Sequence, residues 1–177
     1  MALAGEGRAV SLRETNQSAN NMKWNARFFT FKEMTASATA RRCGMNNQPD
    51  QMQRDALLCL CQEVLDPLRE AWGEPIIVTS GFRSPRLNAL VGGASNSQHT
   101  FGQAADIRTL SDRPEDNQRL FALILQLRLP FDQLIDEYAY DWIHVSHRPS
   151  GRQRGQVLHA RRTNGRTVYS HHAQVAF

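Results

Sequence analysis

The sequence has no stretch approaching the roughly 18 consecutive apolar residues a membrane-spanning helix needs, so membrane insertion is not expected. Its opening, MALAGEGRAVSLRETNQ, lacks an apolar segment behind a basic one. No secretory signal is therefore expected, and synthesis in a cytoplasm is. Cysteine is scarce: Cys43, Cys59 and Cys61 are an odd number without metal-type spacing. Cys59 and Cys61, two apart in a helical pattern, project in different directions and cannot easily pair. Reduced, mostly buried thiols are expected rather than a disulfide framework. No helix-turn-helix and no row of stacking aromatics accompanies the basic residues, which argues against a nucleic-acid partner. Internal repeats and low-complexity blocks are absent as well.

What is present suits one soluble domain. The 177 residues are 41% hydrophobic and 21% charged, enough for a real core. The net charge of +4 favours acidic partners such as an anionic wall polymer, or reflects a solvated basic surface. Part of the excess is local, with Arg148, Arg152, Arg154, Arg161, Arg162 and Arg166 in the C-terminal quarter.

Periodicity divides the chain further. Residues 1–25 are polar and aperiodic, hence a flexible arm, and residues 26–177 form a single domain. Thr30 to Glu33 is a capping-box pattern opening a helix that runs to about Arg42, with Gly44 beyond its end. After Pro49-Asp50, the apolar residues Leu57, Leu58, Cys61, Val64, Leu65, Leu68 and Trp72 fall on one helical stripe, closed by Gly73. Ile76 to Thr79 is a β-branched strand, and Ser84-Pro85 opens a short helix over Arg86 to Leu90. The loop Gly92 to His99 is small and polar, with little packing reason for such specificity, so it is a candidate site. Ala104 to Ile107 reads as a buried strand, and Asp112 to Glu115 opens a helix with Leu120, Leu123, Ile124 and Leu127 inward. Phe131 to Tyr138 and Trp142 to Ser146 read as adjacent strands. A basic hairpin follows from about residue 151, turning at Asn164-Gly165. The sum is an α+β domain, with N-terminal helices packed on a small, mostly antiparallel sheet.

One constellation carries chemistry. His99 and Asp106, seven apart, are not neighbours on a helix face, but a loop position and the following strand can bring them together. Gly102 would permit the turn, and Ala104 and Ala105 a close backbone approach. His144, on a second strand, offers another nitrogen. Two histidines and a carboxylate are a common catalytic zinc set, with the fourth position left to water. By spacing alone, a lone strand aspartate is also an ordinary edge residue and a lone histidine an ordinary surface one.

Three motifs in order sharpen the reading: Ser80-Gly81-Phe82-Arg83-Ser84; Ser97-x-His99-x-x-Gly102-x-Ala104-x-Asp106; and Trp142-x-His144. Together with Phe131 to Ile135 they resemble the M15 zinc peptidases across roughly Phe28 to Ser150. That family comprises D-Ala-D-Ala carboxypeptidases, D,D-dipeptidases and phage L-alanyl-D-glutamate endolysins, and the chain is most similar to its compact subgroup. The resemblance implies the hedgehog/D,D-peptidase-like fold, a Zn2+ ion held by His99, Asp106 and His144, and hydrolysis of a peptide bond in peptidoglycan stem peptide. It gives Arg83 the substrate carbonyl or carboxylate, a task suited to a forked, permanently charged donor. Ser97 and Gln98 would hydrogen-bond substrate or ligands.

The general base has two contenders. The family places a carboxylate three residues before the last histidine, which here is Asp141, one methylene, about 1.5 Å, shorter than the usual Glu. Residues three apart in a regular strand face opposite ways, so Asp141 would have to sit in a turn at the strand's entry. Glu137, on the preceding strand, is the competitor. His147 is expected to face away from the ligands, toward surface or substrate, and His171-His172 to be a frayed pair. Trp142 and Tyr140 would line a groove or pack in the core. A monomeric enzyme without a signal would reach the wall through holin-type release or as a virion component. The competing readings are a non-catalytic, zinc-containing wall-binding or virion structural domain, and a zinc hydrolase of non-wall amides.

Overall fold

A computed structural model describes residues 23–172 of the chain. All but the last three residues of the expected arm lie outside that range.

Where one N-terminal helix was expected, two short ones form. The helix α1 (Phe31–Thr35) begins with the full capping box, in which the Glu33 N–H donates to Thr30 Oγ1 and the Thr30 N–H donates to the Glu33 carboxylate. It stops because Ser37 takes an extended conformation and its hydroxyl oxygen accepts the Ala40 N–H, starting α2 (Ala38–Arg42) afresh.

The long stripe is also interrupted. The helix α3 (Gln51–Leu60), capped reciprocally by Asp50 and Gln53, widens into a π-helical turn at Cys61–Leu65 before α4 (Asp66–Trp72). Pro67 has no N–H to continue the ladder, and the wider turn lies immediately before it. Gly73, at φ 81°, closes the helix in the left-handed conformation. Of the thiols, Cys61 is buried, Cys59 half-buried and Cys43 exposed, so burial extends to fewer of them than expected; none is paired.

Six strands make one sheet: β1 (Ile76–Ser80), β2 (Ala104–Thr109), β3 (Gln133–Glu137), β4 (Trp142–Ser146), β5 (Gln156–Thr163) and β6 (Arg166–His171). Their order is β1-β2-β4-β3-β5-β6, and every pairing is antiparallel except β3 with β5. The helices α5 (Pro85–Leu90) and α6 (Pro114–Gln126) connect β1 to β2 and β2 to β3.

Strand alternation gives the sheet two unlike faces. Ala105, Ile107, Leu134, Ile143 and Val145 belong to the same buried cluster as Leu57, Leu60, Val64, Leu65 and Leu68 of the long helical segment and Leu120, Phe121 and Ile124 of α6. Burial of each such side chain contributes about 1.5–3 kcal/mol. The opposite face, carrying Asp106, Ile135, Glu137, Trp142 and His144, lines a cleft of about 980 Å³.

Candidate active site

Two glycines let the chain bring the site's loop against the sheet. A Cβ on Gly81 would lie 2.2 Å from the Met34 carbonyl oxygen, so only glycine lets the end of β1 pass α1. Its own carbonyl accepts from His99 Nδ1 at 2.7 Å. Gly102, at φ 69°, ends the 3₁₀ turn Gln98–Phe101 that carries His99, and a Cβ there would meet the Gln53 carbonyl oxygen at 2.2 Å. The Arg83 N–H also donates to the His99 carbonyl, fixing β1's end to this loop.

Cross-strand register does the rest. Asp106 of β2 lies opposite His144 of β4, on the same face. The Asp106 Oδ1 is 3.2 Å from His99 Nε2 and 3.0 Å from His144 Nδ1, and the two ring nitrogens are 3.2 Å apart. All three side chains are nearly buried. The structure thus brings together His99, Asp106 and His144 as the sequence implied, with one ligand atom from each lying within 4.8 Å of the others.

The donor set fits a divalent metal ion. His99 Nδ1 donates to the Gly81 carbonyl, so Nε2 faces the cluster, where it donates to Asp106 when protonated and offers its lone pair to a metal once that proton is displaced. Two imidazole nitrogens and a carboxylate converging in this way match a three-ligand zinc set. Burial opposes the Asp106 charge, but the histidines' charges and hydrogen bonds outweigh it and hold the carboxyl far below the usual carboxylate range.

Arg83 stands at the cluster's edge. Its Nε donates to Ser80 Oγ at 2.7 Å and its Nη2 donates to Asp106 Oδ2, so the guanidinium is aimed by two partners. Ser97 and Gln98 line the same cleft. Gln98 Nε2 donates to Asp132 Oδ2 at 3.0 Å, while its Oε1 is a buried acceptor with no protein partner among the described residues. Asp132 is fully buried and ties Gln98 to Arg154 and Arg148.

The two carboxylates weighed as base are separated by the fold. Asp141 is exposed in the β3–β4 turn and contributes nothing to the cleft lining. Glu137 ends β3 on the cleft face, nearly buried, and its pKa is pushed up to about 7. Burial is the main cause; His144 and Arg83 oppose it, while Asp106 and Asp136 reinforce it. A carboxylate on the cleft face beside the His99–Asp106–His144 cluster is placed to exchange a proton there.

Other expectations divide. Trp142 lines the cleft, whereas Tyr140 packs edge-on against Phe121 at 5.5 Å in the core. His147 is buried rather than at the surface, its Nδ1 2.6 Å from the Pro130 carbonyl. His172 is not frayed: its ring stacks on His159 at 4.0 Å and on Phe121 at 5.3 Å. The cleft residues Arg154, Arg162, Thr167 and Tyr169 had no motif to reveal them; only the local arginine excess pointed to that end of the chain.

A buried two-histidine, one-carboxylate cluster at the floor of a sheet-lined cleft, with a raised glutamate beside it, defines a metallohydrolase-type site. Comparison with known families matches residues 27–146 to the family described as Peptidase M15. The chain belongs to that peptidase family. A stretch of 44 residues is 54% identical to the zinc D-Ala-D-Ala carboxypeptidase of Streptomyces albus G, covering 24% of this chain and 17% of that protein. The chain thus spans less than a fifth of that relative's length.

Proposed function

We propose that the protein is a zinc-dependent peptidase that hydrolyses a peptide bond in bacterial peptidoglycan stem peptide, as a D,D-carboxypeptidase or an endolysin-type endopeptidase. The observation carrying this reading is the convergence of His99, Asp106 and His144 with Glu137 on one wall of an open cleft. The zinc named for the Streptomyces relative and the family's peptidase character support it.

His99 Nε2, Asp106 Oδ1 and His144 Nδ1 would hold the ion. Zinc, when bound, supplies Lewis acidity that makes water more acidic and polarises a carbonyl. The protein's own residues account for the remaining work. Glu137 accepts a proton from the attacking water on a carboxylate oxygen and returns it to the leaving amine. This assigns the base to Glu137 and not to Asp141. The Arg83 guanidinium, already oriented by Ser80 and Asp106, directs its remaining N–H groups at the substrate carbonyl or carboxylate, where charge develops. Gln98 Oε1 is free to accept a peptide N–H. Delivery to the wall would follow holin-type release or incorporation in a virion.

The test is incubation of zinc-loaded protein with peptidoglycan from several wall types, with and without chelator, and product identification by mass spectrometry. Chelator-sensitive loss of terminal D-Ala makes it a carboxypeptidase; a cut at L-Ala–D-Glu or a cross-bridge makes it an endopeptidase. No chelator-sensitive product from any wall overturns the peptidase reading and leaves a zinc-containing wall-binding or structural domain.

A further inference from the structure

The family match ends at Ser146, yet the cleft does not. Its far wall is built by the β5–β6 hairpin, which contributes Leu158, Arg162, Thr167 and Tyr169. A connected row of side chains joins this wall to Trp142, on the strand that carries His144. Trp142 packs edge-on against Tyr138 at 5.2 Å, the Tyr138 hydroxyl bonds to Thr167 Oγ1 at 2.7 Å, and the Arg162 guanidinium lies 5.5 Å from the Tyr138 ring centre. Tyr169 lines the same cleft. Its phenol is pushed up chiefly by burial, and then by the charges of Glu137 and Asp106.

Arg162 differs from the other arginines that line the cleft. Arg83 is paired with Asp106 and Arg154 with Asp132. Arg161, its neighbour in sequence, turns to the opposite face and pairs with the buried Asp136. Arg162 has no carboxylate partner among the described residues; its recorded contact is the Tyr138 ring. A cation held against an aromatic face at the mouth of a cleft is oriented without being neutralised.

We propose that Arg162, set on the Tyr138–Tyr169 wall, is a specificity-determining residue that binds a carboxylate of the peptide substrate away from the scissile bond. The proposal rests on the peptidase reading above. Register fixes the distance. Leu158 aligns with Ile135, which pairs with His144, and Arg162 lies four residues further along β5. Two strand spacings across and four residues along place the Cα of Arg162 roughly 16 Å from that of His144. The reach of the arginine side chain shortens this span, so the bound carboxylate falls roughly three residues of extended peptide from the reacting carbonyl. Either a side-chain carboxylate or a free C-terminus can supply that chemistry.

The test uses the zinc-loaded full chain and the stem peptide L-Ala-γ-D-Glu-L-Lys-D-Ala-D-Ala in four forms. The D-Glu α-carboxyl is free or amidated, and so is the C-terminus. Binding is read from Trp fluorescence and NMR shifts, turnover by mass spectrometry. One of the two carboxylates is expected to improve binding and kcat/KM about tenfold over its amide, and which one identifies the group recognised. Arg162→Gln should reduce that ratio to within twofold through KM, with kcat and bound zinc unchanged. Arg166→Gln, exposed on the same hairpin but outside the cleft lining, should leave it intact. A wild-type protein indifferent to all four forms, a preference that survives Arg162→Gln, or an equal loss in Arg166→Gln overturns the proposal. Arg162-dependent binding without turnover of any form would remove the peptidase reading and leave the carboxylate site standing. Turnover of all four forms alike by both proteins would do the reverse.

Discussion

Replacing Glu137 with Gln separates catalysis from stability. The substitution keeps the side chain's size and removes its ability to take a proton. If Glu137 is the base, the zinc-loaded variant loses about 10²–10⁴-fold in kcat while binding zinc normally. Stability moves the other way. The folded-state pKa of about 7 lies above the ordinary 4.5, so ionising Glu137 penalises the folded protein. The penalty is absent below the unfolded value and fully developed above the folded one. By linkage the span corresponds to about 3 kcal/mol, and solvent in the open cleft lowers this to about 1–3 kcal/mol. Metal-free Glu137→Gln should therefore unfold about 3–10 °C higher than metal-free wild type at pH 8 and at nearly the same temperature at pH 4.5. Calorimetry across pH measures the second effect, and stem-peptide turnover with metal analysis the first. Asp141→Asn is the control and should stay within about twofold in turnover and about 2 °C in unfolding temperature. Wild-type turnover in Glu137→Gln, or a loss in Asp141→Asn as large as that expected for Glu137→Gln, refutes the assignment.

Asp106→Asn replaces the carboxylate that His99 and His144 meet at Oδ1 and Arg83 at Oδ2 with a neutral amide, which keeps one acceptor and turns the other into a donor. Zinc binding should be lost by metal analysis, and the metal-free protein should lose about 2–4 kcal/mol in denaturant titration, since a nearly buried guanidinium is left unpaired. Because the Asp106 carboxyl is held below its ordinary range, the stability it provides is present above about pH 4 and disappears as pH falls through the folded-state value. Asp132→Asn should cost about 2–4 kcal/mol by the same titration, because Arg148, Arg154 and Gln98 all converge on that fully buried group. Gly102→Ala should destabilise by at least about 2 kcal/mol and weaken zinc affinity, since its Cβ would meet the Gln53 carbonyl and displace the His99 turn; unchanged zinc affinity in a titration would remove that link.

The His99–Asp106–His144 cluster was legible through the family motifs, most of whose signal is local. His99 and Asp106 sit in one motif whose glycine and alanines have no other evident purpose, and His144 lies in a short apolar strand readable by composition. Most of the secondary structure was legible for the same reason: caps at Thr30 and Asp50, the β-branched run at Ile76, and Asn164-Gly165 at the final turn. The break at Ser37 was not, since its hydroxyl could serve a helix interior or a new cap and only the tertiary path decides. Nor was the π-helical turn, which adds one residue to a ladder without changing the apolar stripe. Arg162 and Tyr169 were hidden because their placement depends on the parallel pairing of β5 with β3, a long-range contact with no periodic signature. The burial of His147 likewise depends on a distant carbonyl, that of Pro130.

The placement of Glu137 in the cleft, with Asp141 outside its lining, has a single structural origin. The β3–β4 turn contains three consecutive non-glycine residues in the left-handed region: Tyr138, Ala139 and Tyr140, with φ of 53°, 64° and 66°. Each costs about 1–2 kcal/mol relative to right-handed backbone, so the turn persists only where its surroundings over-determine it. Buried Asp136 accepts the Tyr140 N–H at 2.6 Å, Asn117 of α6 donates to the Tyr140 carbonyl at 2.9 Å, and the Asp141 N–H closes back on the Glu137 carbonyl at 3.0 Å. Asp136 is itself held by His159 and Arg161 of β5. The left-handed winding sends Tyr138 to the cleft side against Trp142 and Tyr140 to the core against Phe121. It leaves Asp141 in solvent while Glu137 ends its strand beside His144. Counting three residues back from a ligand assumes an ordinary turn. Here core-side polar contacts impose a different one, and the carboxylate that reaches the cleft is the residue before the turn, not the residue after it.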